Sequence, residues 1–182
     1  KGKGKARENM IRQRARQYKA HIVYANLIGG QDELVFDGHS LVASPDGNFL
    51  AKGNAFEEEM IYADLKIHPK NAKQNLKKSI NSSIRTYYVP AVLNRVSKPT
   101  ILKRQVRRVE SIEEVFKALV LGTHDYLKKN GFSKAAIGLS GGIDSALTAA
   151  IAVKAIGSEN VVGITMPSKY SSQGSIDDSE AL

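Results

Sequence analysis

The sequence predicts an α/β protein, with antiparallel hairpins in its N-terminal part and a parallel sheet in its C-terminal part. Two observations carry this. The apolar runs Ala135-Ala136-Ile137 and Val161 to Met166 are separated by a glycine-rich loop and a helix-like run, Ala146 to Ile156. That is a βαβ unit, whose strands lie parallel with a right-handed crossover. Further back, the turn signals Asp37-Gly38 and Ser44-Pro45-Asp46-Gly47 punctuate short apolar runs, as in antiparallel hairpins.

Taken in order, Asn9 to Ala20 reads as a helix with Met10, Ile11, Ala15 and Tyr18 as a narrow apolar stripe and arginines elsewhere. His21 to Leu27 reads as a buried strand ended by Gly29-Gly30, and Leu34-Val35-Phe36 as a short strand before Asp37-Gly38. Ser40 to Ala43 and Asn48 to Ala51 flank Ser44-Pro45-Asp46-Gly47. Proline in the second position and glycine in the fourth predict a type I turn, hence a hairpin. Phe56 to Leu65 closes this block with a strand expected around Met60-Ile61-Tyr62.

From Lys66 to about Val109 the periodicity fades, and Pro90 and Pro99 punctuate an irregular arm that still holds Val89, Val92, Leu93, Ile101 and Leu102. Ser111-Ile112-Glu113-Glu114 then predicts a capping box, and apolar residues from Ile112 to Leu127 recur at helical spacing until Asn130-Gly131, a C-cap signal. A strand over 135–139, a helix over 145–156 and a strand over 161–166 follow. Ser175-Ile176-Asp177-Asp178 predicts the start of another helix by the same capping logic.

Composition narrows the chemistry. The 182 residues include no cysteine, which excludes disulfides, thiolate metal sites and a cysteine nucleophile within this chain. The histidines His21, His39, His68 and His124 lack ligand spacing and are read as surface or structural. No apolar run approaches the ~18–20 residues of a membrane span, and the basic start Lys1-Gly2-Lys3-Gly4-Lys5 is not followed by a signal-peptide segment. With no initiator methionine, the chain is expected to be a cytoplasmic stretch cut from something longer.

The net charge of +9 is distributed in blocks: +7 over residues 1–19, −7 over 20–65, +12 over 66–108 and −3 over 109–182. Blocks this basic admit a nucleic-acid footprint. The aromatics Tyr87 and Tyr88 of the basic block are adjacent rather than interleaved with its charge, so no nucleic-acid partner is expected. An acidic block lies beside each basic one, which favours docking within the protein.

The loop Gly138-Leu139-Ser140-Gly141-Gly142-Ile143-Asp144-Ser145 concentrates the chemistry. Adjacent glycines between a strand and a helix let the backbone aim its N–H groups at one point, and the helix dipole adds positive potential there. Ser140 and Ser145 bring hydroxyls, and Asp144 a carboxylate suited to Mg²⁺. A Walker A loop would end in Gly-Lys-Ser/Thr; this loop has no lysine.

The string Ser-Gly-Gly-x-Asp-Ser resembles the PP-loop of the ATP pyrophosphatases, which split ATP between its α- and β-phosphates. Together with Gly-Ile-Thr-Met-Pro-Ser at 163–168 and Tyr-Ser-Ser at 170–172, the stretch 135–182 resembles the synthetase domain of NAD⁺ synthetases. Asn26-Leu27-Ile28-Gly29-Gly30-Gln31-Asp32-Glu33-Leu34-Val35-Phe36-Asp37-Gly38 is similar to the late part of a nitrilase-type glutaminase domain. That fusion is the arrangement of the glutamine-dependent NAD⁺ synthetases.

The resemblance implies the end of a nitrilase-like αββα domain over 1–65, a basic linker over 66–108 and the start of a PP-loop synthetase domain over 109–182. It implies that ATP with Mg²⁺ activates deamido-NAD⁺ as its adenylate, releasing pyrophosphate, and that ammonia from glutamine displaces AMP. Gly138, Ser140, Gly141, Gly142, Asp144 and Ser145 are then the ATP contacts, Asp144 the metal ligand, and Lys3 lies near a family position that contacts the glutamine carboxylate. The polar loop from Ser168 to Ser172, at the C-terminal end of a parallel strand, is expected on the substrate side. The full-length protein is expected to be a homo-oligomer.

The glutaminase nucleophile, base and lysine have no counterpart here, and the resemblance implies that the residues gripping deamido-NAD⁺ and completing the ATP site lie beyond Leu182, so this stretch by itself is expected to catalyse neither half-reaction. Two other readings stand beside this one: another ATP pyrophosphatase ligase, or a basic nucleic-acid-binding fragment.

Overall fold

The computed structural model of the protein describes residues 3–66, 99–101, 106 and 109–182. The N-terminal block opens with helix α1 (Lys3–Tyr18), followed by strands β1 (Ile22–Tyr24), β2 (Ile28–Gln31), β3 (Leu34–Asp37), β4 (Leu41–Ala43) and β5 (Phe49–Lys52). The C-terminal block comprises α2 (Ser111–Lys129), β6 (Ala135–Leu139), α3 (Ile143–Ile156), a short 3₁₀ turn, β7 (Val161–Thr165) and α4 (Gln173–Ala181).

β1, β4 and β5 form an antiparallel sheet in the order β1-β4-β5, and β2 and β3 a separate antiparallel ribbon. Leu41, Val42 and Ala43 of the central strand are all buried, and Leu41 is 2 % exposed. Ile11 and Ala15, four residues apart on α1, meet Leu41 and Ala43, with Ile22, Tyr24 and Phe49 packed around them. Burying a side chain the size of Ile11 or Leu41 contributes about 1.5–3 kcal/mol. The Arg12 guanidinium and the Lys52 ammonium lie 4.2 Å and 4.4 Å from the Phe49 ring centre, so cations seal the rim of this small core.

The β4–β5 hairpin forms as its turn residues predict. Gly47 donates its N–H to the Ser44 carbonyl at 2.8 Å, and the Ser44 hydroxyl bonds the Asn48 carbonyl at 2.9 Å. Other expectations are corrected. The first helix starts at Lys3, six residues earlier than the apolar stripe suggests, because lysine and arginine extend a helix without needing a buried face. The strand expected over 21–27 is limited to β1. Asn26 leaves the sheet to donate its side-chain amide to the Gly38 carbonyl at 2.7 Å and to Asp37 Oδ1 at 3.0 Å.

Gly29-Gly30, read as a strand end, lies inside β2 and pairs with Phe36 and Val35. No strand forms around Met60-Ile61-Tyr62. Only Gly38 and Ala55 make an isolated bridge there, Phe56 turns the chain away at φ +59°, and Met60 and Tyr62 remain 72 % and 64 % exposed.

In the C-terminal block β6 and β7 pair in parallel, Ala135 opposite Val161 through to Leu139 opposite Thr165, with α3 as the crossover. The C-cap is as predicted: Asn130 caps α2, and Gly131 follows at φ +79°. The capping box is not. Ser111 is already helical, and the cap residue is Glu110, which makes no side-chain cap bond. Likewise α4 is capped by Ser172 rather than Ser175: the Ser172 hydroxyl accepts the Ser175 N–H at 3.2 Å. The α3 helix begins at Ile143, two residues before its expected start. The basic arm over 66–108 falls mostly outside the described residues.

Candidate nucleotide site and its surroundings

The glycine-rich loop sits where the βαβ unit places ligands, at the C-terminal end of β6 and the N-terminus of α3. Gly142 is the helix N-cap, at φ −92° and ψ 156°, and no side chain caps the first turn of α3. The orphan N–H groups of that turn therefore remain available to an anion. Gly141 holds φ +73°, in the left-handed region that favours glycine. A Cβ there would also collide with the Ser175 carbonyl oxygen and lie 2.6 Å from the Ser175 Cα. The start of α4 is thus seated directly on the loop.

The serine hydroxyls work inside the loop. Ser145 Oγ donates to the Gly142 carbonyl at 2.9 Å and accepts the Ser140 N–H at 3.3 Å, while Ser140 Oγ stands 3.2 Å from it and accepts the Gly142 N–H at 3.3 Å. These bonds hold the curve of the loop. The cavity here, of about 320 Å³, is lined by loop residues Gly141, Gly142 and Ser145 and closed by Asp178, Ser179 and Leu182 around α4.

Asp144 is exposed in the first turn of α3, and its carbonyl accepts the Thr148 hydroxyl at 2.8 Å. Gly138 lies within β6, where a Cβ would reach the Met166 side chain at an ordinary 3.5 Å. Six of the seven predicted site residues are therefore gathered in one loop and its flanks. Lys3 is apart from them, exposed at the first position of α1 in the N-terminal block.

The residue that sequence reasoning missed is Asp178, the carboxylate that lines the cavity. Its signal was present in the helix start at 175–178, but only the seating of that helix on Gly141 brings it to the loop. Among the described residues no cluster of three or more His, Asp or Glu side chains could hold a metal ion. A divalent cation here would need oxygens from a bound phosphate as well as a carboxylate, which is how Mg²⁺ is commonly held.

The loop before α4 is also ordered by its serines. Ser168 N–H donates to Ser171 Oγ at 2.9 Å, and Tyr170 N–H to Ser168 Oγ at 3.2 Å, leaving the Tyr170 ring exposed.

Comparison with known proteins finds one family match in each block. The carbon-nitrogen hydrolase family matches residues 3–69, and the NAD synthase family matches residues 115–182. Over 100% of its length the chain is 39% identical to the glutamine-dependent NAD(+) synthetase of Thermotoga maritima. The chain is a homologue of the glutamine-dependent NAD⁺ synthetases. A second relative of that name, from Aquifex aeolicus, is 40% identical over 97% of this chain. The chain spans about a third of the length of these synthetases, 32% in both cases. Among solved structures, the glutamine-dependent NAD⁺ synthetase of Acinetobacter baumannii in complex with ADP matches 98% of this chain and 29% of that one. The TM-score is 0.72 and the identity 34%. Its superposition takes in both blocks at once.

No helix among the described residues is long and apolar enough to cross a membrane.

Proposed function

We propose that the protein carrying this chain makes NAD⁺ by amidating deamido-NAD⁺ at the expense of ATP, with glutamine as the nitrogen source, in the cytoplasm. The observation that carries the reading is the loop of residues 138–145: an uncapped helix N-terminus beside a positive-φ glycine, at the end of a parallel strand, in a chain homologous to glutamine-dependent NAD⁺ synthetases.

A carboxylate is a poor acceptor for ammonia, whereas its adenylate carries AMP as a leaving group. In the proposed reaction the nicotinate carboxylate attacks the α-phosphate of ATP and pyrophosphate leaves. Ammonia then displaces AMP and forms the amide. The uncapped N–H groups of the first turn of α3 would face the pyrophosphate, where negative charge develops on departure. Gly138, Ser140 and Ser145 shape that cradle.

Asp144 is the proposed Mg²⁺ ligand, at the rim of the loop where the metal would share phosphate oxygens. When bound, the metal would neutralise charge on the departing pyrophosphate. Lys3 is proposed to contact the glutamine carboxylate. The glutaminase nucleophile is not in this chain, which has no cysteine. The division into a glutaminase part over 1–65, a linker over 66–108 and a synthetase part over 109–182, in a homo-oligomer, belongs to the same proposal.

The complete enzyme carrying this sequence, supplied with Mg-ATP, deamido-NAD⁺ and either glutamine or ammonium, should form NAD⁺, AMP and pyrophosphate in equal amounts. ADP formation in place of AMP would refute the adenylate route. Asp144→Ala should weaken Mg-ATP binding about tenfold, equivalent to ~1.4 kcal/mol. It should leave metal-free ATP binding nearly unchanged, as titration calorimetry with and without Mg²⁺ would reveal.

A further inference from the structure

The two blocks of the chain meet through glycine on both sides. Gly30 of β2 lies against Gly122 of α2 so closely that a Cβ on Gly30 would stand 3.0 Å from the Gly122 Cα. A Cβ on Gly122 would stand 3.2 Å from Val35 Cγ2 of the neighbouring strand. Backbone therefore rests on backbone at Gly30, and a side chain at Gly122 would press on the Val35 methyl group.

The same helix then satisfies the outer edge of β2. In an antiparallel ribbon alternate residues point both backbone groups away from the partner strand, and such an edge otherwise goes unpaired. Asp125, three residues beyond Gly122, accepts the Gly30 N–H at 2.7 Å. Lys129, one further turn along, donates its ammonium to the Gly30 carbonyl. Asp125 is itself braced by His124 Nδ1 at 2.9 Å. Burial pushes the Asp125 carboxyl up, but bonds from His124 and the Gly30 N–H, with the charges of His124 and Lys129, outweigh it and hold it below its ordinary value. It is therefore an anion at neutral pH.

Each end of this contact leads somewhere. On one side the β2–β3 ribbon ends in Asp37, which is clamped by Arg7 of α1 and by Asn26. On the other, α2 packs along α3, whose first turn carries the nucleotide loop.

We infer that Gly30, Gly122 and Asp125 form an interlock that fixes the N-terminal block on the ATP-loop unit, and that Gly122 and Asp125 are positioning residues for the use of glutamine but not of free ammonium. The inference rests on the function proposed above. Ammonia released from glutamine on one block has to reach an adenylate on the other before it escapes to solvent. Ammonium added to the medium reaches the adenylate without needing the blocks in register. A loosened interlock therefore costs the first route and spares the second.

Three variants of the complete enzyme carrying this sequence test it. Gly122→Val drives methyl groups into Val35, Asp125→Leu removes the acceptor for the Gly30 N–H, and Asp125→Asn keeps a carbonyl oxygen in its place. NAD⁺ formation is measured at saturating glutamine and at saturating ammonium, together with glutamine hydrolysis. The ratio of glutamine-supported to ammonium-supported synthesis should fall between about tenfold and 10²-fold in Gly122→Val and Asp125→Leu, the scale of a small misplacement of reacting groups. Asp125→Asn should recover most of it.

Equal losses on both nitrogen sources would mean a merely structural contact and overturn the inference, as would an unchanged ratio. If the unmodified enzyme forms no NAD⁺ from either nitrogen source, the function proposed above fails. The interlock is then decided by amide hydrogen exchange at Gly30: protection that survives Asp125→Leu would overturn it, and protection lost there but kept in Asp125→Asn would uphold it.

Discussion

Gly141→Val should abolish measurable nucleotide binding and loosen α4 in the same stroke. Two independent costs meet at this residue. Its φ of +73° lies in the left-handed region, where a side chain costs about 1–2 kcal/mol and a β-branched one more. Its Cβ direction is filled by the backbone of Ser175, with the Cα at 2.6 Å and the carbonyl carbon at 2.8 Å. Backbone cannot swing aside as a side-chain tip can, so overpacking adds a further ~1–3 kcal/mol.

Either the loop abandons its curve, and the N–H groups no longer converge, or the start of α4 lifts away and opens the cavity lined by Asp178 and Ser179. Calorimetric titration with Mg-ATP should show at least a roughly 10²-fold loss of affinity. Gly131→Val is the matched control. It holds φ +79° with nothing within 4 Å of its Cβ, so it carries the conformational cost alone and should leave ATP affinity intact. Equal losses in both variants would contradict the steric argument. Gly142 differs from Gly141: its φ of −92° suits any residue, and a Cβ there would meet only Ser140 Oγ at 3.3 Å. In the proposed function, its lack of a side chain leaves room for the close approach of a phosphate.

Asp37→Ala should be the most destabilising substitution in the N-terminal block outside its apolar core. Asp37 accepts from Arg7 Nη1 at 2.9 Å and Nη2 at 2.5 Å, from the Asn26 amide at 3.0 Å, and faces His39 Nδ1 at 3.3 Å. The Arg7 and Asp37 side chains are 16 % and 20 % exposed, and the guanidinium also lies over the Tyr24 ring. Removing the carboxylate takes the bidentate partner from a largely buried guanidinium, while the Asn26 amide keeps its bond to the Gly38 carbonyl. The expected loss is about 3 kcal/mol, at the lower end for breaking a buried pair because the site keeps some contact with water.

The pH dependence has a definite sign. Burial pushes the Asp37 carboxyl up, but hydrogen bonds from His39 and Arg7, and their charges, outweigh it and hold it far below the usual carboxylate range. A depressed carboxylate contributes its stability fully above the unfolded-state value, near ~4. That contribution is lost as the pH falls from there toward the folded value. Urea unfolding followed from pH 7 down to pH 2 should show the native chain losing stability below about pH 4. Asp37→Ala should start lower and lack this part of the slope. Parallel curves for the two proteins would exclude Asp37 as a source of acid sensitivity.

Legibility in the sequence followed the range of the interactions. The strand–loop–helix–strand order of the C-terminal block, the bounds of β6, the β4–β5 turn and the C-cap at Asn130-Gly131 could all be read. Each depends on a backbone preference or a periodicity within a few residues. The place of the glycine-rich loop was legible for the same reason: its glycines, serines and Asp144 lie within eight residues, so no long-range fold is needed to bring them together.

What failed was decided at a distance. Gly29-Gly30 looked like the end of a strand, since glycine weakens strands. It lies inside one because α2 covers that edge and tolerates nothing larger. Asn26 looked like a strand residue until Asp37, Gly38 and Ser40 offered it better partners. Ser111 and Ser175 both fit a capping pattern, and which serine caps depends on where packing starts the helix. Gly122 and Asp125 showed no local signal of their role, and the helix start at 175–178 did not say that Asp178 would face the loop. The amino-acid order alone determined a βαβ unit with a glycine-rich loop behind a hairpin-rich block. Tertiary contact decided which carboxylate closes the cavity and how the two blocks are held, because backbone meeting backbone across about 90 residues of sequence leaves no trace in local pattern.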